Sequence, residues 1–304
     1  MQNRLPPNET KRLLKLATYA SVSIAFLLIT TKLIAWLMSD SVSLLATLID
    51  SCLDAAASLL NLYAIKHALQ PADDQHRFGH GKAESLASLG QSAFIAGSAV
   101  FLLLEAGSRL FNPHTPDAIG IGIAVMIFSI FATFILLFIQ RHVIKKTNST
   151  AIQADSLHYK MDVLINCSVI ISLLLASMGS PVFDSIIAIA IAGFILHSAW
   201  KIGYESVQLL MDRELPDDER RKIEHVILQH TDVRGMHDLR TRRSGMFTFI
   251  QLHLELDDEL SLIQAHTIAD NVELALLKAF PDADVIIHQD PASVLPQFPD
   301  LERR

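Results

Sequence analysis

Six stretches of this sequence are long and apolar enough to cross a bilayer, and no other feature constrains its fold as much. A hydrocarbon core of about 30 Å takes about 20 mostly apolar residues as a helix. Residues 16–38, 42–62 (extending to 69), 86–110, 118–139, 163–178 and 182–204 each supply such a run. The fifth carries a polar N-terminal extension from Ala151. None contains proline; Pro113, Pro116 and Pro181 fall in the connections, where a missing N–H costs little. The first run is too long for a signal peptide, and no small-residue cleavage site follows it. Composition agrees, with 51% of the 304 residues hydrophobic and 19% charged. An ordinary soluble domain has about 25% charged residues.

Lys and Arg in the short loops set the orientation. Arg4, Lys11, Arg12 and Lys15 precede the first span, Lys66, Arg77 and Lys82 lie in the second loop, and Arg141, Lys145 and Lys146 lie in the fourth. The first and fifth loops have none, and the third has only Arg109 nearby. This alternation predicts that both termini are cytoplasmic. Residues 1–209 carry a net charge of +1 and residues 210–304 of −8. Hydropathy falls at the same place, near 205–215. The expectation is a membrane domain at 1–209 and a cytoplasmic domain at 210–304. An overall charge of −7 argues against nucleic acid as a partner, because neutralising phosphates needs a surplus of Lys and Arg. Cys52 and Cys167 both lie in apolar runs, which argues against a disulfide framework or a thiolate metal site.

An ionisable side chain at the centre of a span costs about 2.5–3.5 kcal/mol on insertion scales, so each needs a reason. The second span holds Asp50 and Asp54, and the fifth holds His158 and Asp162. Both pairs are spaced i,i+4, which puts the two members on one helix face. Two helices that each offer such a pair can enclose one ion in three carboxylates and one imidazole, a donor set suited to tetrahedral Zn²⁺. Lys32, Glu105 and Arg109 lie toward span ends, where long side chains snorkel. Asp155 is expected at the start of the fifth span, where an acidic residue suits a helix N-terminus. Cys52 points to a different face from the aspartates and is read as packing. In the second loop Asp73, His76 and His80 have the spacing to converge on a metal, with Gly79 and Gly81 permitting tight turns.

Beyond residue 215 the pattern is that of a small α+β unit. Residues 217–230 read as an amphipathic helix, 236–241 and 247–256 as strands, 261–280 as a second helix and 284–288 as a last strand. The order αββαβ predicts a three-stranded sheet covered by two helices. His237 and His253 fall on strands and His266 on the second helix, while His288-Gln289-Asp290 closes the last strand. Several imidazoles with a carboxylate that can bridge suit a binuclear Zn²⁺ site. His67, His142 and His197, near span ends, are read as ordinary polar residues.

These elements together resemble the cation diffusion facilitator family. The most specific are Asp50-x3-Asp54, His158-x3-Asp162, the loop Gln-Pro-Ala-Asp-Asp-Gln-His-Arg-Phe-Gly-His-Gly-Lys-Ala-Glu and the closing His-Gln-Asp-Pro. The resemblance runs from the first span to Asp290. It implies a homodimeric Zn²⁺/H⁺ antiporter of the bacterial inner membrane, with six spans and a metallochaperone-like cytoplasmic domain. Carried over by motif, Asp50, Asp54, His158 and Asp162 form the transport site, and Asp73, His76 and His80 a loop site. His237, His253, His266, His288 and Asp290 form a binuclear site, with Asp290 bridging and Gln289 lending its carbonyl. The resemblance further implies a charge interlock of Lys82 with Asp212 at the dimer interface, and a hydrophobic gate that includes Leu157. Cd²⁺ accepts the same ligands, and ligand type alone does not exclude Fe²⁺ or Mn²⁺.

Protons and metal compete for the same lone pairs, which gives antiport a direct physical basis. An intramembrane metalloprotease needs a motif such as His-Glu-x-x-His, and the sequence has none. A cation channel is disfavoured because four convergent ligands including His hold an ion too tightly for fast conduction. A membrane metal sensor that binds without transporting stays open at this point.

Overall fold

A long apolar run without proline can satisfy its backbone in a membrane only as a helix. The computed structural model, which describes residues 6–39, 42–111, 120–177 and 182–293, has six such helices: α1 (Pro7–Ser39), α2 (Val42–Ala68), α3 (Lys82–Phe111), α4 (Gly120–Thr147), α5 (Thr150–Ser177) and α6 (Val182–Leu210). Several run past the apolar segment that announces them. Helix α1 starts nine residues before the expected 16, and α4 continues from 139 through Lys145 and Lys146. Charged residues that leave the hydrocarbon do not break a helix, so hydropathy marks the span and not its ends. Pro113, Pro116 and Pro181 lie outside the described residues, as do 40–41, 118–119 and 178–181.

Among the described residues, α1, α2, α3, α4 and α6 each hold a stretch long and apolar enough to cross a membrane, while the first half of α5 is polar. It carries Asp155, His158, Lys160 and Asp162 within eight residues. Helices α2, α3 and α4 pack against it, and Ala151, Ile152, Ala154, Leu157 and Tyr159 are all buried. A helix walled by protein instead of lipid has no need of an apolar circumference.

Three expectations change here. Asp155 does not serve the start of α5, but sits one turn inside it and is wholly buried. The α5 N-terminus is served from another helix, where Glu84 of α3 accepts hydrogen bonds from the Thr150 and Ala151 N–H groups and the Ser149 hydroxyl. Lys32 does not snorkel outward; its Nζ donates to the Thr47 carbonyl (3.1 Å) and Ser51 Oγ (2.6 Å) of α2. Cys52 is exposed and is not part of a packed interior. Leu157 and Met161 pack with Ile95 and Ala99 of α3 and Ile195 and Ala199 of α6.

A second compact unit begins at residue 208. Its elements are α7 (Asp217–Leu228), β1 (Gly235–Ser244), β2 (Phe247–Leu256), α8 (Leu262–Ala279) and β3 (Ala283–Pro291). The sheet order is β1-β2-β3, with β1 antiparallel and β3 parallel to β2. The parallel pair needs a crossover, which α8 supplies. Ser261 and Gln264 start α8 with a reciprocal capping box. Ile250, Leu252, Leu254 and Leu256 alternate to one face and are at most 2% exposed, packed against Ile223 and Ile227 of α7 and Val272 and Leu276 of α8. Alternation therefore sends His253 and Glu255 to the face without helices. Strand β1 exceeds the expected 236–241 and carries a bulge between His237 and Arg240, where Asp238 has φ 47°.

Candidate metal centres

In the membrane unit the structure brings together Asp54 of α2 with His158 and Asp162 of α5, their ligand atoms lying within 4.8 Å of one another. His158 Nε2 is 2.8 Å from Asp54 Oδ1. The imidazole is 3% exposed, and its Nδ1 has no hydrogen-bond partner. Asp50, one turn along α2, is exposed and lies outside this cluster. The arrangement offers one imidazole and two carboxylates from two helices, inside a bundle where an unpaired charge is costly.

A second cluster forms in the loop after α2. Asp73 Oδ2 is 3.2 Å from His80 Nε2, and Asp73 Oδ1 is 3.4 Å from His76 Nδ1. The backbone N–H groups of His76 (2.6 Å) and Gln75 (2.9 Å) donate to Asp73 Oδ1. The His76 bond foremost holds this carboxyl below the usual carboxylate range. Gly79 takes φ 77°, which favours glycine. Gly81 does not take such an angle and is buried just before α3. His67 is closer to this cluster than its place at a span end suggests, its ring centre 4.5 Å from that of His80.

In the C-terminal unit the register aligns His237, His253 and His288 in one row across all three strands. Asp290 joins them: Oδ2 is 2.7 Å from His253 Nδ1 and 3.4 Å from His237 Nε2, while Oδ1 is 3.1 Å from His288 Nε2. A carboxylate whose two oxygens meet different imidazoles has the chemistry to hold two ions, and three imidazoles suit Zn²⁺ as a resident metal. His266 is not in this group; its side chain is exposed and pairs with Asp270 at 3.5 Å. Gln289 is half-buried on β3, beside the row.

Sequence reasoning missed Glu255. Its Oε1 lies 2.8 Å from His237 Nδ1, which fixes the ring and aims Nε2 at Asp290. Room for this carboxylate comes from Gly235, where any Cβ would collide with Glu255 Oε2. The signal was available, because Glu255 follows His253 by two residues in an alternating strand and so shares its face.

An enclosed His/Asp cluster in a helical membrane bundle, followed by an αββαβ unit with a His/Asp row, defines a membrane metal transporter. Both parts match families of that kind, residues 18–211 the cation efflux transmembrane domain and residues 215–292 the cytoplasmic domain of cation efflux proteins. The chain belongs to the cation efflux family, the cation diffusion facilitators, and is a multi-pass transporter and not an enzyme. Among its relatives it is similar to the cation-efflux pump FieF of Serratia proteamaculans (strain 568), 52% identical over 94% of this chain and 95% of that one. It is 50% identical to the cation-efflux pump FieF of Klebsiella pneumoniae (strain 342), with the same shares covered. Among solved structures, the metal-bound C-terminal domain of the CzcD transporter from Thermotoga maritima is 28% identical. It covers 27% of this chain and 100% of that chain at a TM-score of 0.25.

Proposed function

We propose that this chain exports Zn²⁺ from the bacterial cytoplasm in exchange for protons, working as a homodimer in the inner membrane with both termini cytoplasmic. The observation that carries the reading is the convergence of Asp54, His158 and Asp162 inside the helix bundle. Each ligand atom there takes either a proton or a metal ion, so metal affinity falls as pH falls. Facing the cytoplasm, the cluster gives up protons and accepts Zn²⁺. Facing a more acidic exterior, protons displace the ion and travel back. Alternating access by rocking of helices about this fixed site completes the cycle.

Asp50 is the proposed fourth ligand, one turn from Asp54 and entering the shell when the helices shift. Leu157, packed between α3, α5 and α6, is the proposed gate residue. In the C-terminal domain (residues 210–304) His237, His253, His288 and Asp290 would hold regulatory Zn²⁺, with His266 and Gln289 as outlying ligands. The metal there would offset the repulsion between two domains of charge −8. Lys82 and Asp212 form the proposed interlock, and Asp73, His76 and His80 an accessory site. Cd²⁺ is the closest substitute, and Fe²⁺ and Mn²⁺ are weaker ones.

The test is metal uptake into proteoliposomes across a panel of Zn²⁺, Cd²⁺, Fe²⁺ and Mn²⁺. Uptake of Zn²⁺ and Cd²⁺ above protein-free vesicles is expected. Metal binding without uptake would instead make the protein a sensor.

A further inference from the structure

Asp155 is wholly buried in α5, yet it belongs to none of the metal clusters. Its carboxylate is enclosed by neutral donors from three other helices. Ser21 Oγ of α1 lies 2.6 Å from Oδ2, and Gln140 Nε2 of α4 lies 2.8 Å from the same oxygen. Gln91 Nε2 of α3 lies 3.4 Å from Oδ1. Among the described residues no Lys, Arg or His comes within ion-pair distance of it. The titratable groups that interact with it electrostatically are on its own helix, His158 three residues on and Tyr159 four residues on. The Tyr159 hydroxyl is engaged by Ser58 Oγ (2.8 Å) and the Ser21 carbonyl (3.3 Å). Asp155 itself makes no hydrogen bond or ion pair with Asp54, His158 or Asp162.

A buried carboxylate with no cation strongly favours its neutral form unless the surrounding dipoles serve the charge. Here one set of heavy atoms serves both forms. With Asp155 ionised, the Ser21 hydroxyl donates to Oδ2. With Asp155 protonated, its own O–H donates to Ser21 Oγ, and the Ser21 proton turns to the Ala17 carbonyl at 3.0 Å. Gln140 Nε2 stays bonded throughout, because Ser21 Oγ is also within its reach at 3.0 Å. A proton can therefore arrive and leave without moving a heavy atom of the cage.

We propose that Asp155 holds one of the exchanged protons, at a site separate from the metal ligands. This rests on the antiport reading above. The negative charge one helical turn from His158 favours a cation in the cluster; its neutralisation weakens that cation without taking any ligand atom. Proton and metal are then coupled at a distance as well as by direct competition.

The test counts protons released per Zn²⁺ bound by the purified full chain in weakly buffered solution near pH 8, and follows Zn²⁺ affinity against pH. Asp155→Asn keeps the shape of the side chain and carries no titratable proton. The loop and C-terminal ligands are the same in both proteins, so the difference reports on the membrane unit. The expected result is a proton count lower by up to one, a roughly tenfold weaker membrane site at pH 8 and a shallower pH profile. An unchanged count and profile overturns the proposal, whatever happens to thermal stability. Should Asp155→Asn not fold, Ser21→Ala decides instead: losing a donor to the ionised form should move the pH profile of binding upward, and an unmoved profile overturns the proposal equally. A separate control is Asp54→Ala. If it released the same number of protons as the parent, the exchange reading itself would fail and not the assignment of Asp155.

Discussion

His158 has one ring nitrogen 2.8 Å from Asp54 and the other buried without a partner, so a single residue joins α2 to α5 at the cluster. If Asp54, His158 and Asp162 act as one shell, Asp54→Ala should abolish Zn²⁺ uptake while leaving a folded protein. Undiminished uptake by the purified variant would remove the cluster from the transport path. His158→Asp makes the shell all oxygen, which should move preference from Zn²⁺ toward the harder Mn²⁺. Competition uptake of the two ions is the check, and an unchanged ratio would place selectivity in cavity shape. In the C-terminal unit Glu255→Gln loses the charge that orients His237. Zn²⁺ affinity there should drop by about 10–100-fold, the range for partners that orient a metal ligand. Isothermal titration of the full chain reads this, and an unaltered isotherm would make Glu255 incidental.

At the scale of elements, the spans and strands were legible because their periods are strong, as with Ile250, Leu252, Leu254 and Leu256 on β2. The i,i+4 spacing picked out Asp50, Asp54, His158 and Asp162; three of them lie together, and Asp50 lies outside their cluster. What stayed hidden depended on contacts between elements. Nothing local says that Glu84 of α3 caps α5, or that Lys32 reaches Thr47 and Ser51, or that Asp155 meets Gln140. Glu84→Ala should therefore destabilise the bundle by about 1–2 kcal/mol, the usual worth of a helix cap. Thermal unfolding in detergent checks this, and an unmoved midpoint would contradict it. The loop gives a pH prediction. With its folded carboxyl titrating below the unfolded value, Asp73 lends the turn a stability that is complete above the ordinary carboxylate range. That stability is lost only as pH falls through the lowered value. Between about pH 5 and 8, where imidazoles rather than carboxylates titrate, Asp73 stays ionised. Asp73→Asn should thus weaken loop metal binding by a similar factor at pH 6 and pH 8; a factor that vanished at pH 6 would show that Asp73 had already been protonated.

At the scale of the whole molecule, the two parts of the chain divide the work. The membrane unit gathers Asp54, His158 and Asp162 where charge is expensive, and the C-terminal unit displays a His/Asp row on the open face of a sheet. If metal there stabilises a dimer, replacing His237 and His288 together should remove Zn²⁺-dependent thermal stabilisation yet leave reduced but measurable uptake. The central claim, that metal and protons move in opposite directions through one protein, is tested most directly by following both in the same proteoliposomes. With an acidic interior, Zn²⁺ entry should raise the internal pH as protons leave, and a protonophore that collapses the gradient should slow that entry. Undiminished Zn²⁺ entry with no movement of protons would contradict the account.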